Sequence, residues 1–459
     1  MSKTFVVSGL IGIALVAGAA EPEVPSVSLA WNAAAREAKI TYELKNAPAV
    51  VTLEILDGSG NAIDGALVGG FADGEVYKKV EADGTYEIVW HPATGNVTLP
   101  SGGVKAKVTA YPVDDPPDYM VVTFAAKGPD RVRYYPAEAY LPGGLHANRQ
   151  YKSTKIVMRK IVAKDVDWQM GSGDIERGLM PKFQTWNPPV NESNHVVRLD
   201  HDYYMAVFET THGQYLAMNQ GGMPPNQDNN NFWVEWFDRP VEQAYYSNVR
   251  GNVHWPDAPS SASPIGKLRT TTGRDFDLPS EAEWEYACRA GHGDGEWNDG
   301  TPFKLQQAYV KINEANGNKS YNGWQYRDAT APARYSLSGG CWVAPGSDNF
   351  YKVATATTGP TNGTAVVGML GRPNSWGLYD MHGNVQEICL DYYKADITSL
   401  AGAVCTDSSE GNNKVIRGGG FISYGANNCR SAARTSAGTA SPYVYSGIGF
   451  RLCCRNGLK

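Results

Sequence analysis

Two carboxylates flank a tight turn in the C-terminal half of the sequence, and their spacing suits a hard cation. Asp380 and Glu387 lie on either side of Gly383-Asn384, in a stretch that reads Asn-Ser-Trp-Gly-Leu-Tyr-Asp-Met-His-Gly-Asn-Val-Gln-Glu from residue 374. A turn at the glycine would bring both carboxylates and the carbonyl groups between them toward one point, and calcium prefers oxygen ligands of this kind. The alternative is that Asp380 forms the turn and Glu387 pairs with a cation of the chain.

The histidines show no comparable pattern. None of the eight has a metal-binding spacing, and His195, His201 and His212 lack an accompanying His-Glu-x-x-His or paired-cysteine motif. Nucleophile-elbow, phosphate-loop and Ser/His/Asp signatures are absent from the sequence as well. We therefore expect structural or surface roles for these histidines.

The elements that position these residues belong to a turn-rich globular chain. A length of 459 residues predicts two or more domains, and 50 glycines, 27 prolines and 19% charged residues favour a mostly β or irregular fold over disorder. The net charge of -6, without a Lys/Arg-rich stripe, gives no reason to expect nucleic acid as a partner.

Residues 1–19 have the pattern of a secretory signal peptide. Lys3 precedes an apolar run from Phe5 to Val16, and the small residues Ala17-Gly-Ala19 form the expected cleavage site. A membrane anchor is the alternative, but this run is too short to span a bilayer and nothing later resembles a span. We expect a secreted, periplasmic or cell-surface protein whose seven cysteines, all at or after Cys288, can pair in an oxidising compartment.

Residues 20–127 alternate apolar and polar positions, which predicts an all-β sandwich. Runs such as Ile40-Thr-Tyr-Glu-Leu44 and Val51-Thr-Leu-Glu-Ile55 are separated by glycine turns such as Asp57-Gly-Ser-Gly60. The order of these features resembles immunoglobulin-like domains of bacterial secreted and flagellar-hook assembly proteins, which implies a spacer or docking module. Residues 128–165, punctuated by glycine and proline, are predicted to be a linker and an entry strand.

Further signals in the C-terminal part predict helices and define ordered blocks. Thr211 can cap a short helix, and Ser280 and Glu283 have the spacing of a capping box that opens a helix from Glu281 to Arg289. Four blocks lie between about residues 167 and 454: Asp277-Leu-Pro-Ser-Glu-Ala-Glu-Trp-Glu-Tyr-Ala287, the stretch from Asn374 to Glu387, Val415 to Arg434 with its Arg-Gly-Gly-Gly and Arg-Ser-Ala-Ala-Arg, and Ile448-Gly-Phe-Arg451.

Together these blocks resemble the formylglycine-generating (sulfatase-modifying factor) family. The resemblance implies an α+β fold, low in regular structure and C-type-lectin-like, for residues 166–459. It implies a structural calcium ion held by the side chains of Asp380 and Glu387 and by the carbonyls of Gly383 and Val385.

The same resemblance implies a disulfide from Cys288, on the helix opened by the capping box, to Cys453 or Cys454 in the final strand. The pairing of Cys341, Cys389, Cys405 and Cys429 stays open, because four cysteines allow three connectivities.

Enzymes of that family oxidise a substrate cysteine with two cysteines of their own that bind copper(I), an ion that requires soft sulfur ligands. In this sequence Ser423 stands at the first cysteine position. The loop that carries it is about two residues shorter than in the family, and the second cysteine position has no counterpart. Gly420 and Gln386 stand where the family has a serine and, beside the substrate groove, a tryptophan. Cys429 alone cannot form a two-thiolate site, so we expect no copper and a loss of the oxidase activity.

Two functions from different classes remain. The first is a secreted, non-catalytic member of the family, a pseudoenzyme, whose groove or long loops of residues 291–363 bind a glycan, peptide or protein. Loop aromatics that could stack on a sugar are Trp324, Tyr326, Trp342 and Tyr351, although such residues also pack on one another. The second is an active formylglycine-generating-type oxidoreductase that modifies sulfatases or another protein, which the scaffold alone permits. The missing cysteine pair favours the first.

Overall fold

The computed structural model of the protein describes residues 20–92, 103–173, 192–225, 236–292, 336–338, 341–343, 364, 366–369, 373–420, 431–439 and 447–455. The predicted signal peptide lies outside these ranges. So do Ser423 and Cys429, and three of the loop aromatics, Trp324, Tyr326 and Tyr351. Trp342 belongs to a strand of which the backbone alone is described.

Two antiparallel sheets form the N-terminal part. One sheet has the strand order β1-β2-β6-β4, made of β1 (Glu23–Asn32), β2 (Glu37–Lys45), β6 (Gly84–Trp90) and β4 (Ala72–Gly74). The other has the order β5-β3-β7, made of β5 (Lys78–Val80), β3 (Ala49–Asp57) and β7 (Val104–Pro112). Alternate residues of the two sheets, among them Ile40, Leu53 and Trp90, pack into one buried cluster. The prediction of an all-β sandwich is confirmed.

The strands that follow join a different sheet. A six-stranded sheet of order β14-β21-β13-β10-β8-β9 contains β8 (Tyr119–Thr123), β9 (Val132–Tyr135), β10 (Lys155–Ile161), β13 (Tyr203–Ala206), β14 (Phe276–Asp277) and β21 (Cys453–Cys454). Strand β8, which the sequence had placed in the sandwich of residues 20–127, therefore belongs to a sheet of the C-terminal part, and β10 lies where the entry strand within residues 128–165 was predicted. The reason is visible in β8, where Met120, Val121 and Val122 are consecutive and buried, as in a strand covered on both faces.

Short elements complete the C-terminal part. Within the described residues its helices are α1 (His212–Met218), α2 (Tyr246–Arg250), α3 (Pro264–Thr272) and α4 (Glu281–Arg289). The remaining strands are β11 (Asp167–Met170), β12 (His195–Arg198), β15 (Ser336–Ser338), β16 (Cys341–Val343), β17 (Gln386–Tyr392), β18 (Asn413–Arg417), β19 (Thr435–Gly438) and β20 (Ile448–Gly449). The last four form a sheet of order β19-β18-β17-β20. The mixed fold with little regular structure agrees with the prediction.

Single-turn 3₁₀ helices connect several of these elements. They span Gly65–Leu67, Gly128–Arg131, Glu138–Tyr140, Arg149–Lys152 and Thr398–Leu400. Across the described ranges of the chain, every helix is too short or too polar to cross a bilayer.

Helix α4 and the final strand, β21, contribute side chains to the same part of the C-terminal core. Trp284 and Cys288 of α4 share one buried cluster with Cys453, while the adjacent Cys454 points into the cluster on the other face of the six-stranded sheet. Successive residues of a strand face opposite sides, so β21 contributes to both clusters. This packing places α4 beside β17 and β18, where the candidate site lies.

Candidate functional site

Helix α4 begins at the capping box predicted from the sequence. The hydroxyl of Ser280 accepts the Glu283 N–H at 3.1 Å, and Glu283 accepts the Ser280 N–H at 2.6 Å. Two donors of the first turn are thereby satisfied. All nine residues of the helix are buried, including Glu281, Glu283 and Glu285.

Each of these glutamates has an arginine partner from another part of the chain. Glu281 pairs with Arg434, Glu283 with Arg455, and Glu285 with Arg417; in the second pair the guanidinium Nε lies 2.8 Å from Oε1. Burial alone would raise the pKa of Glu283, but the adjacent Arg455 and His201 lower it to about 2. A buried charge is tolerated only with such a partner, so the glutamates anchor α4 rather than leaving free acids for chemistry.

Glu387, one of the two carboxylates predicted to bind calcium, is buried at the start of β17 in a fourth pair of this kind. Arg451 Nη2 lies 2.8 Å from its Oε1, and Trp284 Nε1 donates to its Oε2 at 2.7 Å. Arg451 also donates to backbone carbonyls, including that of Tyr379 at 2.7 Å. The guanidinium therefore ties the stretch from Asn374 to Glu387 to the neighbouring strands.

Asp380 lies in the same region in a left-handed conformation, with φ of 59°. Its Oδ2 accepts the Gly368 N–H at 2.6 Å, and burial raises the pKa of its carboxyl group. The turn at Gly383 forms as expected, with φ of 105° and a hydrogen bond from the Gly383 N–H to the Gly418 carbonyl.

Glu209 is a third buried carboxylate at this turn and was not among the predicted site residues. It accepts the Val385 N–H at 3.0 Å and the side-chain amide of Asn384 at 2.6 Å. Burial, together with the charges of Asp380 and Glu387, raises its pKa well above the usual value. The available sequence signal was a glutamate directly after the apolar run from Tyr203 to Phe208.

The contacts of Glu387 bear directly on the predicted calcium ion. Both carboxylate oxygens already accept hydrogen bonds from Arg451 or Trp284, and a cation would have to displace a buried guanidinium to reach them. The donor set of Asp380, Gly383, Val385 and Glu387 thus does not fit a calcium ion in the arrangement observed. The ion-pair alternative for Glu387 is the one that these contacts favour. The calcium ion itself stays a prediction.

Two of the four positions that depart from the family pattern are described, and they are neighbours. Gly420 is buried, and a Cβ atom built on it would lie 3.1 Å from the Gln386 nitrogen and 3.2 Å from the Gly447 carbonyl oxygen. Gln386 is half-buried, and its N–H donates to that same carbonyl at 2.8 Å. A serine at position 420 would therefore require these backbone atoms to shift by a few tenths of an ångström.

The predicted disulfide between Cys288 and the final strand is not present. Within the described ranges, Cys288 is bonded neither to Cys453 nor to Cys454, although Cys288 and Cys453 lie in one cluster. Instead, the Cys288 sulfur lies 3.4 Å from Nε2 of His382 and 3.5 Å from the hydroxyl of Ser431. The expected packing of helix against strand occurs without the bond.

The three histidines singled out in the sequence lie apart and make separate contacts. His195 is hydrogen-bonded to the Ser193 carbonyl at 2.8 Å, His201 to Glu283 at 2.8 Å, and His212 to the Arg239 carbonyl at 3.1 Å. In the described part of the chain, no group of three or more His, Cys, Asp or Glu side chains is arranged to hold a metal ion.

Comparison with known proteins identifies the C-terminal part. The family model of the sulfatase-modifying factor enzyme 1-like domain matches residues 150–456. The formylglycine-generating enzyme of Thermomonospora curvata is 30% identical over 203 residues, which are 43% of this chain and 53% of that enzyme. The formylglycine-generating enzyme of Streptomyces coelicolor is 30% identical over 212 residues, 45% of this chain and 51% of that enzyme. The chain thus spans about half the length of these curated relatives.

Two solved structures are similar over a larger share of the chain, but at lower identity. The structure of PvdO from Pseudomonas aeruginosa has 20% identity and a TM-score of 0.43, covering 65% of this chain and 94% of that one. Treponema denticola variable protein 1 has 23% identity and a TM-score of 0.39, covering 66% and 96%. These TM-scores are too low to add to the assignment made by the family model.

Proposed function

The chain belongs to the family of the sulfatase-modifying factor enzyme 1-like domain, and we propose that it is an exported, non-catalytic member that uses this scaffold to bind a ligand. The ligand class is a glycan, a peptide or another protein. Its binding region is the groove beside Gln386 and Gly420, together with the segment of residues 291–363.

The observation that carries this proposal is the chemistry of the donors at the position of the copper site. Ser423 supplies a hydroxyl, which is a hard ligand and stays protonated near neutral pH, and Cys429 is the one thiol in the segment from Gly419 to Arg434. Copper(I) requires two soft ligands close together. The residues present therefore do not fit this ion.

The surroundings of Gly420 support the same conclusion. The family's serine is replaced by a glycine whose missing Cβ would lie 3.1–3.3 Å from three backbone atoms, including the Asn384 carbonyl oxygen. The polar, half-buried Gln386 replaces a bulky aromatic wall. A groove reshaped in this way would not hold a substrate cysteine in the geometry that the relatives' reaction requires.

Retention of the scaffold is consistent with a binding role. Helix α4 is held by three arginine partners, of which Arg417 is fully buried, and β17 by a fourth, the buried Arg451, all supplied by the protein itself. Such pairs fix elements in place, because removing either partner leaves a buried charge uncompensated. The scaffold is therefore held together without a catalytic metal.

The alternative is an active oxidoreductase, which the names of the Thermomonospora and Streptomyces relatives favour. Copper(I) binding separates the two functions. We expect titration of the reduced full-length protein against a chromogenic copper(I) chelator to reveal no tight site that depends on Cys429. The matched variants are Cys429→Ala and, as a control in the same chain, Cys389→Ala. If the wild-type protein and Cys389→Ala each bind one equivalent of copper(I) and Cys429→Ala binds none, the oxidase is favoured.

Ligand binding is tested directly with glycan and peptide arrays probed with the full-length protein. Any ligand found is measured again with Gln386→Trp, which restores the bulky wall, and with Lys39→Ala, an exposed control in the sandwich. A ligand of the groove should bind about tenfold more weakly to Gln386→Trp, which corresponds to a loss of about 1.4 kcal/mol of binding free energy. Unchanged affinity in both variants would exclude the groove and leave the loops of 291–363.

A further inference from the structure

Strand β1 forms an edge of the sandwich that is open to solvent. Within the described residues it pairs with β2 alone, and the nearby β7 belongs to the other sheet and pairs with β3. Six of the seven residues in the segment 26–32 of β1 are exposed, and the seventh, Leu29, is half-buried. Such an edge offers a row of backbone N–H and C=O groups to a further strand.

The other edges of the described sheets with three or more strands are protected. Six of these edge strands are only two to four residues long, namely β4, β5, β9, β14, β19 and β20. Strand β7 is nine residues long but carries the exposed Lys105 and Lys107. Short strands and lysines are common means of keeping a sheet edge from pairing. Strand β1 is ten residues long, and its segment 26–32 has no charged residue at all.

The register of β1 against β2 sets the direction of its side chains. Val27, Leu29 and Trp31 lie opposite residues of β2 that are buried in the core of the sandwich. Because directly opposite residues share one face of a sheet, this apolar row extends the core to the open edge. Val27 retains 37% of its exposure there and Trp31 retains 39%. A further strand at this edge would cover both side chains.

We propose that a second copy of this chain supplies the further strand, so that two β1 strands pair antiparallel about Leu29 in a two-fold symmetric dimer. This interface is separate from the groove that binds the ligand. A two-fold axis requires a surface that matches itself, and the segment 26–32 does so. Its cross-strand pairs join apolar with apolar, small with small and polar with polar residues: Val27 with Trp31, Ser28 with Ala30, and Ser26 with Asn32.

Charge favours a second copy over a basic peptide at this edge. The sandwich is acidic, with fifteen Asp and Glu against seven Lys and Arg in residues 20–118, so two copies repel one another at long range. At the edge itself no like charges meet, because Glu23 lies beyond an irregularity of the ladder and outside the paired segment. Added salt should therefore strengthen the dimer, whereas a basic peptide held by these acids would be released.

The size of the paired segment predicts a reversible dimer. Seven residues at about 3.4 Å per residue give an edge roughly 24 Å long. An interface of one strand pair lies at the small end of specific protein interfaces, where association is transient. The fraction of dimer should therefore rise with protein concentration.

Sedimentation velocity of the full-length protein over a range of concentrations measures this equilibrium. Two variants test the edge, Ser28→Lys/Ala30→Lys and Ser28→Glu/Ala30→Glu, at positions that are exposed on the outer face of the sheet. Position 28 of one copy lies opposite position 30 of the other, so each variant places like charges together. Each should raise the dissociation constant by about tenfold or more. An equimolar mixture sets lysine against glutamate and should restore the dimer.

The matched control is Ser59→Lys/Ala62→Lys, which adds the same charge at exposed positions after β3 and should leave association unchanged. A wild-type protein that stays monomeric at every concentration would overturn the proposal and leave the edge to an extended segment of another protein. Association that neither variant weakens, that the mixture does not restore or that salt weakens would also overturn it.

Hydrogen exchange of the wild-type protein gives a second measurement, which decides if a variant fails to fold as judged by circular dichroism. The amides of residues 26–32 should become protected as the protein concentration rises, because their free N–H groups enter the new ladder. Protection that does not change with concentration would contradict pairing through β1.

Discussion

At the scale of single residues, Glu387 shows how one carboxylate can satisfy two different sequence interpretations. Its position beside a glycine turn suits a calcium ligand, yet its oxygens accept from Arg451 and Trp284. Nothing in the sequence could settle this, because Arg451 is 64 residues away along the chain. The turn itself was predictable from local residues, and its partners were not.

A protein in which Glu387 is an ion-pair partner and one in which it binds calcium would respond differently to a chelator. We expect a chelator to leave the melting temperature of the wild-type protein unchanged. Glu387→Ala should lower stability by roughly 3–5 kcal/mol with or without chelator, because Arg451 is left buried and unpaired. A chelator-induced drop in melting temperature that disappears in Glu387→Ala would instead support the calcium prediction.

Asp391 gives a pH-dependent prediction at the same scale. Burial, with the adjacent Glu281, raises its pKa from 3.8 to about 7. At a pH between these two pKa values, Asp391 has lost its carboxyl proton in the unfolded chain and retains it in the folded chain. The stability that Asp391 contributes is therefore full below about pH 4 and is lost as the pH rises through about 7, a change on the order of 4 kcal/mol at about 1.4 kcal/mol per pKa unit.

Urea unfolding of the wild-type protein and of Asp391→Asn between pH 4 and 7 measures this contribution. The difference in unfolding free energy between the two proteins should shrink as the pH rises. A difference that is constant across this range would show that Asp391 is ionised in the folded protein throughout.

At the scale of elements, local patterns were sufficient where the hydrogen bonds are local. The capping box of α4, the cap of α1 at Thr211 and the strands of the sandwich formed as predicted. Strand β8 was misassigned because its pairing with β10 joins residues well separated in sequence, such as Met120 and Met158. Glu209 was missed for the same reason, since its partners Asn384 and Val385 lie on a distant turn.

The cap of α4 predicts a modest and specific loss of stability. Ser280→Ala removes the acceptor for the Glu283 N–H and should destabilise the protein by about 1 kcal/mol. Ser280→Asp preserves a side-chain acceptor at the cap and serves as the matched comparison. Chemical denaturation measures both, and an equal loss in the two variants would show that the space around Ser280, rather than the cap, sets the effect.

At the scale of the whole molecule, the sandwich and the C-terminal part share a core. The cluster that contains Leu53 and Trp90 of the sandwich also contains Val121 of β8, Val207 and Tyr379. The chain therefore does not divide at a solvent-exposed linker. Composition and periodicity could predict two kinds of architecture, but not that their cores are continuous.

Continuity of the core predicts that the protein unfolds as one cooperative unit. Fluorescence of the tryptophans, including Trp90 in the sandwich, and far-ultraviolet circular dichroism should report the same midpoint in urea. Val121→Ala, at the junction, should lower both midpoints together. Two separate transitions, with one unaffected by Val121→Ala, would contradict the shared core.

At the same scale, we propose that this member of the family has lost its relatives' chemistry. The most direct measurement incubates the copper(I)-loaded full-length protein with a Cys-x-Pro-x-Arg peptide and quantifies formylglycine by mass spectrometry. We predict no conversion, because Ser423 offers no soft ligand and Cys429 has no second thiol at the family's position. Conversion by the wild-type protein that is lost in Cys429→Ala would contradict the claim and establish the protein as an oxidase.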